Sequence, residues 1–302
     1  MRTNAPIAQQ CMLSIKAFAK INLYLDVISR YPDGYHQLES IMQSVSLFDL
    51  IKITPSKEIS VTCTEKNLCQ ESNLAFKVAE LLRELTGKDS LGATINIIKN
   101  IPVAAGLAGG SADAAATLIG LNILWDLGLS LAELQEIGIK IGADVPFCLA
   151  GGTMLAEGRG ERLTRLTPMP QVEFVLITPP LHVSTAEVYK LLDQKALPPM
   201  NRKDQFIASL SRGVVGEIAR SLGNLLEAVT IADRPIITKI KEMAIEAGGA
   251  AALMTGSGPT VFVLCQDKDL ADKVANTIRS YDQSFFVEVV RPVNQGVEVI
   301  QT

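Results

Sequence analysis

From Leu13 to Val27 the odd positions are all apolar: Leu13, Ile15, Ala17, Ala19, Ile21, Leu23, Leu25 and Val27. Ser14, Lys16, Phe18, Lys20, Asn22, Tyr24 and Asp26 hold the even ones. This period of two predicts a long strand with one face on a core and a more polar face carrying Lys20, Asn22 and Tyr24. A turn follows at Pro32-Asp33-Gly34, then strand-like stretches to Ile53 and another at Ile59 to Thr64. A helix is expected from about Asn73 to Thr86, stopped by Gly87, and a strand from Ala93 to Lys99.

After Pro102 the chain becomes poor in side chains, with Gly106, Gly109 and Gly110. Ser111-Ala112-Asp113 then opens an apolar helix running to about Leu127. Ser130-x-x-Glu133 has the spacing of a capping box for a second helix ending near Gly142. Asp144 follows, at the head of an expected short apolar strand from Val145 to Ala150. Glycine turns at Gly151-Gly152 and Gly158-Arg159-Gly160 bracket one more short strand.

Beyond about residue 166 the rhythm changes, which suggests two domains, 1–165 and 166–302. A strand at Val172 to Thr178 precedes a helix capped by Ser184-x-x-Glu187 and further helices up to Ala247. Strands at Ala250 to Met254 and Val261 to Cys265, a helix from Asp267 to Ser280 and a strand from Phe285 to Arg291 complete a β-α-β-β-α-β order. That order, with helices inserted in its first crossover, is the ferredoxin-like split βαβ pattern. The fold class is therefore α/β (α+β).

Composition narrows the function. The chain has 302 residues, 48% hydrophobic but 5% aromatic, and a formal net charge of -4. With a pI near 5.4 it lacks the field of a nucleic-acid-binding protein, so any phosphate must be held locally. The mean hydropathy of +0.25 raises the question of a membrane. The uncharged run Gly248 to Cys265 is interrupted by Thr255-Gly256-Ser257-Gly258-Pro259-Thr260, whose backbone would go unsatisfied in lipid. No apolar secretory segment is visible at Met1 to Cys11. Cysteines at 11, 63, 69, 148 and 265 form no Cys-x-x-Cys pair and read as buried small hydrophobes. With two histidines, His36 and His182, a histidine-built metal centre is not expected. The expectation is a soluble cytoplasmic protein with no nucleic-acid or membrane partner.

Several residues invite a chemical reading beside a plain one. A glycine loop before a helix can cradle phosphate on backbone N–H groups, or can simply pack tightly. It is neither a Walker A motif nor Gly-x-Gly-x-x-Gly. Lys20 is either an edge lysine snorkelling to water or half of a buried pair with Asp144, itself otherwise a cap or turn residue. Gly256-Ser257-Gly258 is either a hairpin connection or a second backbone approach to a ligand. Tyr35-His36 is either a recognition pair in a loop or a chance surface pair.

Taken together the motifs resemble a family. Pro102, Val103, Ala104, Ala105, Gly106, Leu107, Ala108, Gly109, Gly110, Ser111 and Ala112 resemble the phosphate loop of the GHMP kinases. Thr255 to Thr260 resembles their C-terminal glycine motif. Ala19-Lys20-Ile21-Asn22-Leu23, Asp33-Gly34-Tyr35-His36-x-Leu38 and Gly142 to Phe147 are similar to the branch acting on a cytidine diphosphate-linked methylerythritol. The resemblance implies an N-terminal ATP-binding domain and a C-terminal substrate-side domain. It implies transfer of the ATP γ-phosphate to a 2-hydroxyl in non-mevalonate isoprenoid precursor synthesis, with Mg²⁺ carried by ATP and few protein ligands of its own. Asp144 takes the base position and Lys20 that of the lysine that polarises the hydroxyl. Lys99 and Asn73 fall with the loop at the nucleotide site. Asn22, Tyr35, His36, Thr185, Tyr189, Gly256 and Ser257 fall on the substrate side, with Tyr35 and His36 on the cytosine. Val103-Ala104-Ala105 and Ala108 stand where some relatives have glycine, which implies a stiffer loop. Another GHMP kinase and a non-catalytic nucleotide-binding regulator are the competing readings.

Overall fold

The computed structural model describes residues 12–69 and 71–300. The first half runs β1 (Leu13–Arg30), β2 (His36–Ser56), β3 (Ile59–Cys63), α1 (Leu74–Thr86), β4 (Gly92–Ile98), α2 (Gly109–Leu124), α3 (Leu131–Ile141), α4 (Val145–Ala150), β5 (Thr153–Gly158) and β6 (Arg162–Arg165). The second half continues with β7 (Glu173–Thr178), α5 (Thr185–Lys195), α6 (Lys203–Arg212), α7 (Val215–Ser221), β8 (Gly223–Asn224), α8 (Glu227–Asp233) and α9 (Pro235–Glu246). It closes with β9 (Ala251–Met254), β10 (Val261–Cys265), α10 (Lys268–Tyr281), β11 (Phe286–Val290) and β12 (Val297–Ile300).

Two sheets organise these elements. The larger has eight strands around the path β12-β1-β2-β4-β3, extended by β5 and β6 beyond β2 and by β8 beside β1. The smaller, β11-β7-β10-β9, has the strand order expected of a ferredoxin-like unit. The last strand returns to the larger sheet: Ser14 pairs with Ile300 and Ala17 with Val297. The Ser130 capping box forms as expected, its hydroxyl accepting from the Glu133 N–H and Glu133 accepting from the Ser130 N–H. Asn73 caps α1, and Gly87 ends it in the left-handed region at φ 62°.

β1 is buried on both faces: Lys20 and Asn22 are 5% and 4% exposed, and the side that the alternation marked as polar lies against Ser40, Gly106, Asp144 and Thr255. Two expectations need correction. Val145 to Ala150 is a helix, not a strand; a short continuous apolar run fits either, and Pro146 sits comfortably in a first helical turn. The cysteines differ among themselves: Cys148 and Cys265 are buried, but Cys69 is exposed where the loop after β3 folds back, and its thiol lies against the Cys63 peptide. Cys11 lies outside the described residues. The uncharged run from Gly248 is the β9–β10 hairpin, and no helix among the described residues is long and apolar enough to cross a membrane.

Candidate active site

Register shifts in the β1–β2 ladder fall between Phe18 and Lys20 and between Asn22 and Tyr24. Such bulges re-aim side chains. Lys20 and Asn22 share a face, and the Lys20 ammonium donates to Asn22 Oδ1 at 2.8 Å. Tyr24 departs from them: its hydroxyl donates to Asp26 and accepts from the Arg202 N–H. Lys20 Nζ also reaches the Gly106 carbonyl at 3.3 Å and Asp144 Oδ2 at 3.6 Å. Asp144 stands at the N-cap position of α4, yet its side chain makes no capping bond. Its carboxylate, 39% exposed, is left facing the cleft beside a lysine that is 6% exposed.

The glycine loop is fastened to β1, where the Leu107 carbonyl accepts from the Lys20 N–H at 3.1 Å. α2 then begins behind Ala108 with no side-chain cap, whereas Asn73, Ser130, Ser184 and Asp267 cap α1, α3, α5 and α10. The first-turn N–H groups of α2 are therefore available to an anion, reinforced by the helix dipole. Ala104 and Ala108 adopt left-handed conformations, φ 53° and 57°, at the positions where the sequence departs from glycine. The loop is held in a conformation that costs an alanine about 1–2 kcal/mol. The two glycine motifs interlock: a Cβ on Gly106 would lie 2.4 Å from the Thr255 carbonyl oxygen.

Lys99 lies under this loop in a buried ionic cluster. Its ammonium contacts Asp49 and donates to Asp113 Oδ2 at 2.8 Å, with side chains 4%, 0% and 5% exposed. Asp49 also accepts the N–H groups of Asn100 and Ile101 at 2.6 and 2.9 Å, bracing the entry to the loop. Burial opposes the Lys99 charge, but Asp113 and Asp49 outweigh it and raise its pKa. Burial, opposed by Lys99 and reinforced by Asp49, pushes the Asp113 carboxyl up to about 8. Asp113 Oδ1 has no hydrogen-bond partner.

The other end of the cleft is aromatic. The His36 ring stacks on Tyr189 with centroids 4.8 Å apart, and its Nε2 lies 2.7 Å from Asp193 Oδ1. Arg30 pairs with the same carboxylate at 3.3 Å. Tyr35 is 61% exposed, and Arg159, paired with Asp33, lies over its ring at 4.4 Å. Thr185 and Ser257 hydroxyls meet at 2.8 Å, tying α5 to the second glycine turn.

One cleft of about 1160 Å³ joins these parts. It is lined by Lys20, Asn22, Tyr35, His36, Lys99, Asp144, Thr185, Tyr189, Gly256 and Ser257, and by the loop residues Pro102 to Gly106 and Ala108 to Ser111. Three expected residues lie off its surface. Leu107 and Ala112 are core residues, 1% and 0% exposed, because a loop that presents backbone to one side anchors side chains on the other. Asn73 is spent on its cap: its side chain accepts from the Ala75 N–H and donates to the Leu68 carbonyl. Sequence reasoning missed Arg159 and Asp193 on the cleft surface and the buried Thr255 behind it. Asp193 had a signal, since Thr185, Tyr189 and Asp193 repeat every four residues along one helix face.

The sequence matches the GHMP kinases N terminal domain over residues 73–152 and the GHMP kinases C terminal domain over 206–283. A 4-diphosphocytidyl-2-C-methyl-D-erythritol kinase of Pelotomaculum thermopropionicum is 46% identical over 91% of this chain and 97% of its own. That of Caldanaerobacter subterraneus subsp. tengcongensis is 42% identical over 95% and 99%. A crystal structure of 4-(cytidine 5'-diphospho)-2C-methyl-D-erythritol kinase superimposes with a TM-score of 0.78 at 31% identity, covering 92% of this chain and 99% of that one. A homoserine kinase from Cytophaga hutchinsonii shares the fold, with a TM-score of 0.76 at 20% identity over 99% of this chain and all of the other. By sequence over nearly its whole length, and by fold, the chain belongs to the GHMP kinases, in the 4-diphosphocytidyl-2-C-methyl-D-erythritol kinase family.

Proposed function

We propose that this chain transfers the γ-phosphoryl group of ATP to the 2-hydroxyl of 4-diphosphocytidyl-2-C-methyl-D-erythritol, a step of non-mevalonate isoprenoid precursor synthesis. The carrying observation is that a close lysine–carboxylate pair, a glycine loop at a helix start and an aromatic rim open on one cleft. The curated relatives, 42–46% identical, bear the name of that kinase.

In this reading the 2-hydroxyl lies between Asp144 and Lys20. Its proton goes to the Asp144 carboxylate as its oxygen bonds to the γ-phosphorus, and the bond to the β-phosphate oxygen breaks to release ADP. Such transfers depend mainly on positioning and charge stabilisation, so Lys20 contributes as an oriented cation and not as a base. The backbone N–H groups of Gly109, Gly110 and Ser111 receive the ATP phosphates. Tyr35, His36 and Tyr189 take the cytosine, whose flat face suits a stack and whose edge suits hydrogen bonding. Mg²⁺ bound with ATP would supply charge neutralisation at the phosphoryl oxygens. The reading makes the protein a cytoplasmic enzyme of small-molecule metabolism, with neither nucleic acid nor membrane as partner. The net charge of -4 argues against a nucleic-acid partner.

The test is ADP release with the cytidine-linked acceptor, mevalonate and homoserine, for wild type and Asp144→Asn. The expected result is turnover on the cytidine-linked acceptor alone, lost by about 10²-fold or more in Asp144→Asn with ATP binding retained. Turnover of Asp144→Asn near wild type overturns the base assignment, and preference for either other acceptor overturns the substrate.

A further inference from the structure

Thr255 lies in the second domain, fully buried, 233 residues from the strand that carries Lys20 and Asn22. Its Oγ1 accepts the Asn22 N–H at 2.9 Å; like the N–H groups of Phe18 and Lys20, which bond the Gly296 and Leu107 carbonyls, this one points to the edge of β1 away from β2. The same hydroxyl lies 3.2 Å from Asn22 Oδ1 and 3.4 Å from the Gly106 carbonyl oxygen. It has one proton, so it donates to one of these at a time. Both oxygens also receive the Lys20 ammonium, at 2.8 and 3.3 Å. Of the three oxygens around Lys20 Nζ, Asp144 Oδ2 at 3.6 Å is thus the one beyond the reach of the Thr255 hydroxyl.

The hydroxyl is itself held in place. Asn224 Nδ2 donates to the carbonyls of Met254 and Gly256, both at 2.8 Å, gripping the chain on either side of Thr255. Asn224 belongs to β8, which pairs with β1 at Leu25. Thr255 N–H bonds the Thr260 carbonyl across the turn. A β-branched side chain has few rotamers, so a fixed backbone fixes the hydroxyl as well. Strand β1, the first glycine loop and the second domain therefore meet at one oxygen atom.

We propose that Thr255 is a positioning residue for phosphoryl transfer: its hydroxyl sets the two oxygens that aim the Lys20 ammonium at Asp144, so the second domain completes the catalytic pair of the first. The inference rests on the kinase reading above. Thr255 touches neither reactant in that reading and acts through Lys20, so its loss belongs in kcat and not in either KM.

The experiment compares wild type with Thr255→Val, Thr255→Ser and Thr255→Ala by steady-state kinetics with ATP and the cytidine-linked acceptor, each well below its melting temperature. Val keeps the shape and removes the hydroxyl; Ser and Ala differ from each other chiefly in that hydroxyl, and serve if the Val protein does not fold. A displaced reacting group can cost about 10²-fold in rate, so kcat is expected to fall about 10- to 100-fold in Val and Ala, with both KM values within about threefold and Ser close to wild type. A purely structural role lowers the melting temperature and leaves kcat per folded molecule unchanged, which overturns the proposal. Equal kcat for Ser and Ala overturns it too. Wild-type turnover on the acceptor separates the two claims: its absence sinks the kinase reading, whereas its presence with an unchanged Val or Ala kcat sinks the role of Thr255 alone.

Discussion

Substituting Gly106 by alanine tests whether the two glycine motifs are pressed together. Gly106 sits at φ +79°, and a Cβ there would lie 2.4 Å from the Thr255 carbonyl oxygen, with Gly258 backbone at 3.2 and 3.4 Å. The left-handed backbone alone costs an alanine about 1–2 kcal/mol. Ordinary van der Waals contact starts near 3.4 Å, so loop and turn must part by about 1 Å in a region with little slack. Overpacking of this kind adds about 1–3 kcal/mol, for a total of about 2–5 kcal/mol if nothing yields. If the loop yields instead, Leu107 and the Gly106 carbonyl shift relative to Lys20, and turnover falls by up to about 10²-fold. Gly87 is the control: it is also left-handed, φ +62°, but its Cβ would meet nothing within 4 Å. Gly87→Ala should therefore lose about 1–2 kcal/mol and keep its activity. Urea melts and steady-state kinetics on both variants provide the readout. Matching losses of stability in the two proteins, with Gly106→Ala within twofold of wild-type kcat and KM for ATP, would refute the interlock.

Ala108→Gly should relieve the opposite problem, since Ala108 is left-handed at φ 57°. A gain of up to about 1 kcal/mol in a urea melt is expected, part of the relief being offset by the greater freedom of glycine in the unfolded chain, and a clear loss would contradict it. Asp113 supplies a pH signature. Its carboxyl is raised in the folded protein from an ordinary 3.8 to about 8, chiefly by burial, so the fold keeps a proton that the unfolded chain releases between those values. Stability from this group is therefore fully present at low pH and declines as pH rises from about 4 to about 8. Calorimetry on Asp113→Asn should show a shallower fall of melting temperature over that range than wild type; a constant difference between the two proteins would argue against the shift. Asp193→Ala removes the carboxylate that holds His36 and Arg30, and should raise KM for the cytidine-linked acceptor by about tenfold with kcat little changed. An unchanged acceptor KM would remove Asp193 from substrate recognition.

Local rules made much of the fold legible. The Ser130 and Ser184 caps, the Gly87 stop and the strands flanking the Gly256 turn follow from spacing over a few residues, and each formed where expected. Contacts without a local signature escaped. Asp49 stands 50 residues before Lys99 and brings no motif of its own, yet it fixes the lysine and the entry to the loop. Thr255 belonged to a recognised motif, but its hydroxyl's partner is a backbone N–H on the edge of β1 away from β2, 233 residues distant, which alternation cannot register. Val145 to Ala150 was ambiguous for another reason, since six apolar residues show neither a period of two nor one of 3.6. The polar face of β1 was read correctly as polar, but what covers it was not legible, because Ser40, Gly106, Asp144 and Thr255 come from distant parts of the chain.

That covering explains how a protein of net charge -4 can handle two anionic ligands. Lys99 lines the cleft, but its ammonium is matched by Asp49 and held by a hydrogen bond to Asp113, so it braces the loop more than it adds free positive charge. Lys20 is buried with a carboxylate at 3.6 Å and neutral oxygens nearer still. Arg30 and Arg159, at the rim, are each paired with an aspartate. Lys190 also lines the cleft; in the proposed reading the uncapped start of α2 adds oriented N–H groups that supply partial positive charge without an ammonium. Dipoles of this kind act over a turn of helix and are useless if displaced, which makes the packing of loop against loop part of the electrostatics. The close approach of Gly106 to Thr255 and the shared hydroxyl above Lys20 are then two aspects of one requirement. Both must hold before a weakly charged site can orient a highly charged reaction.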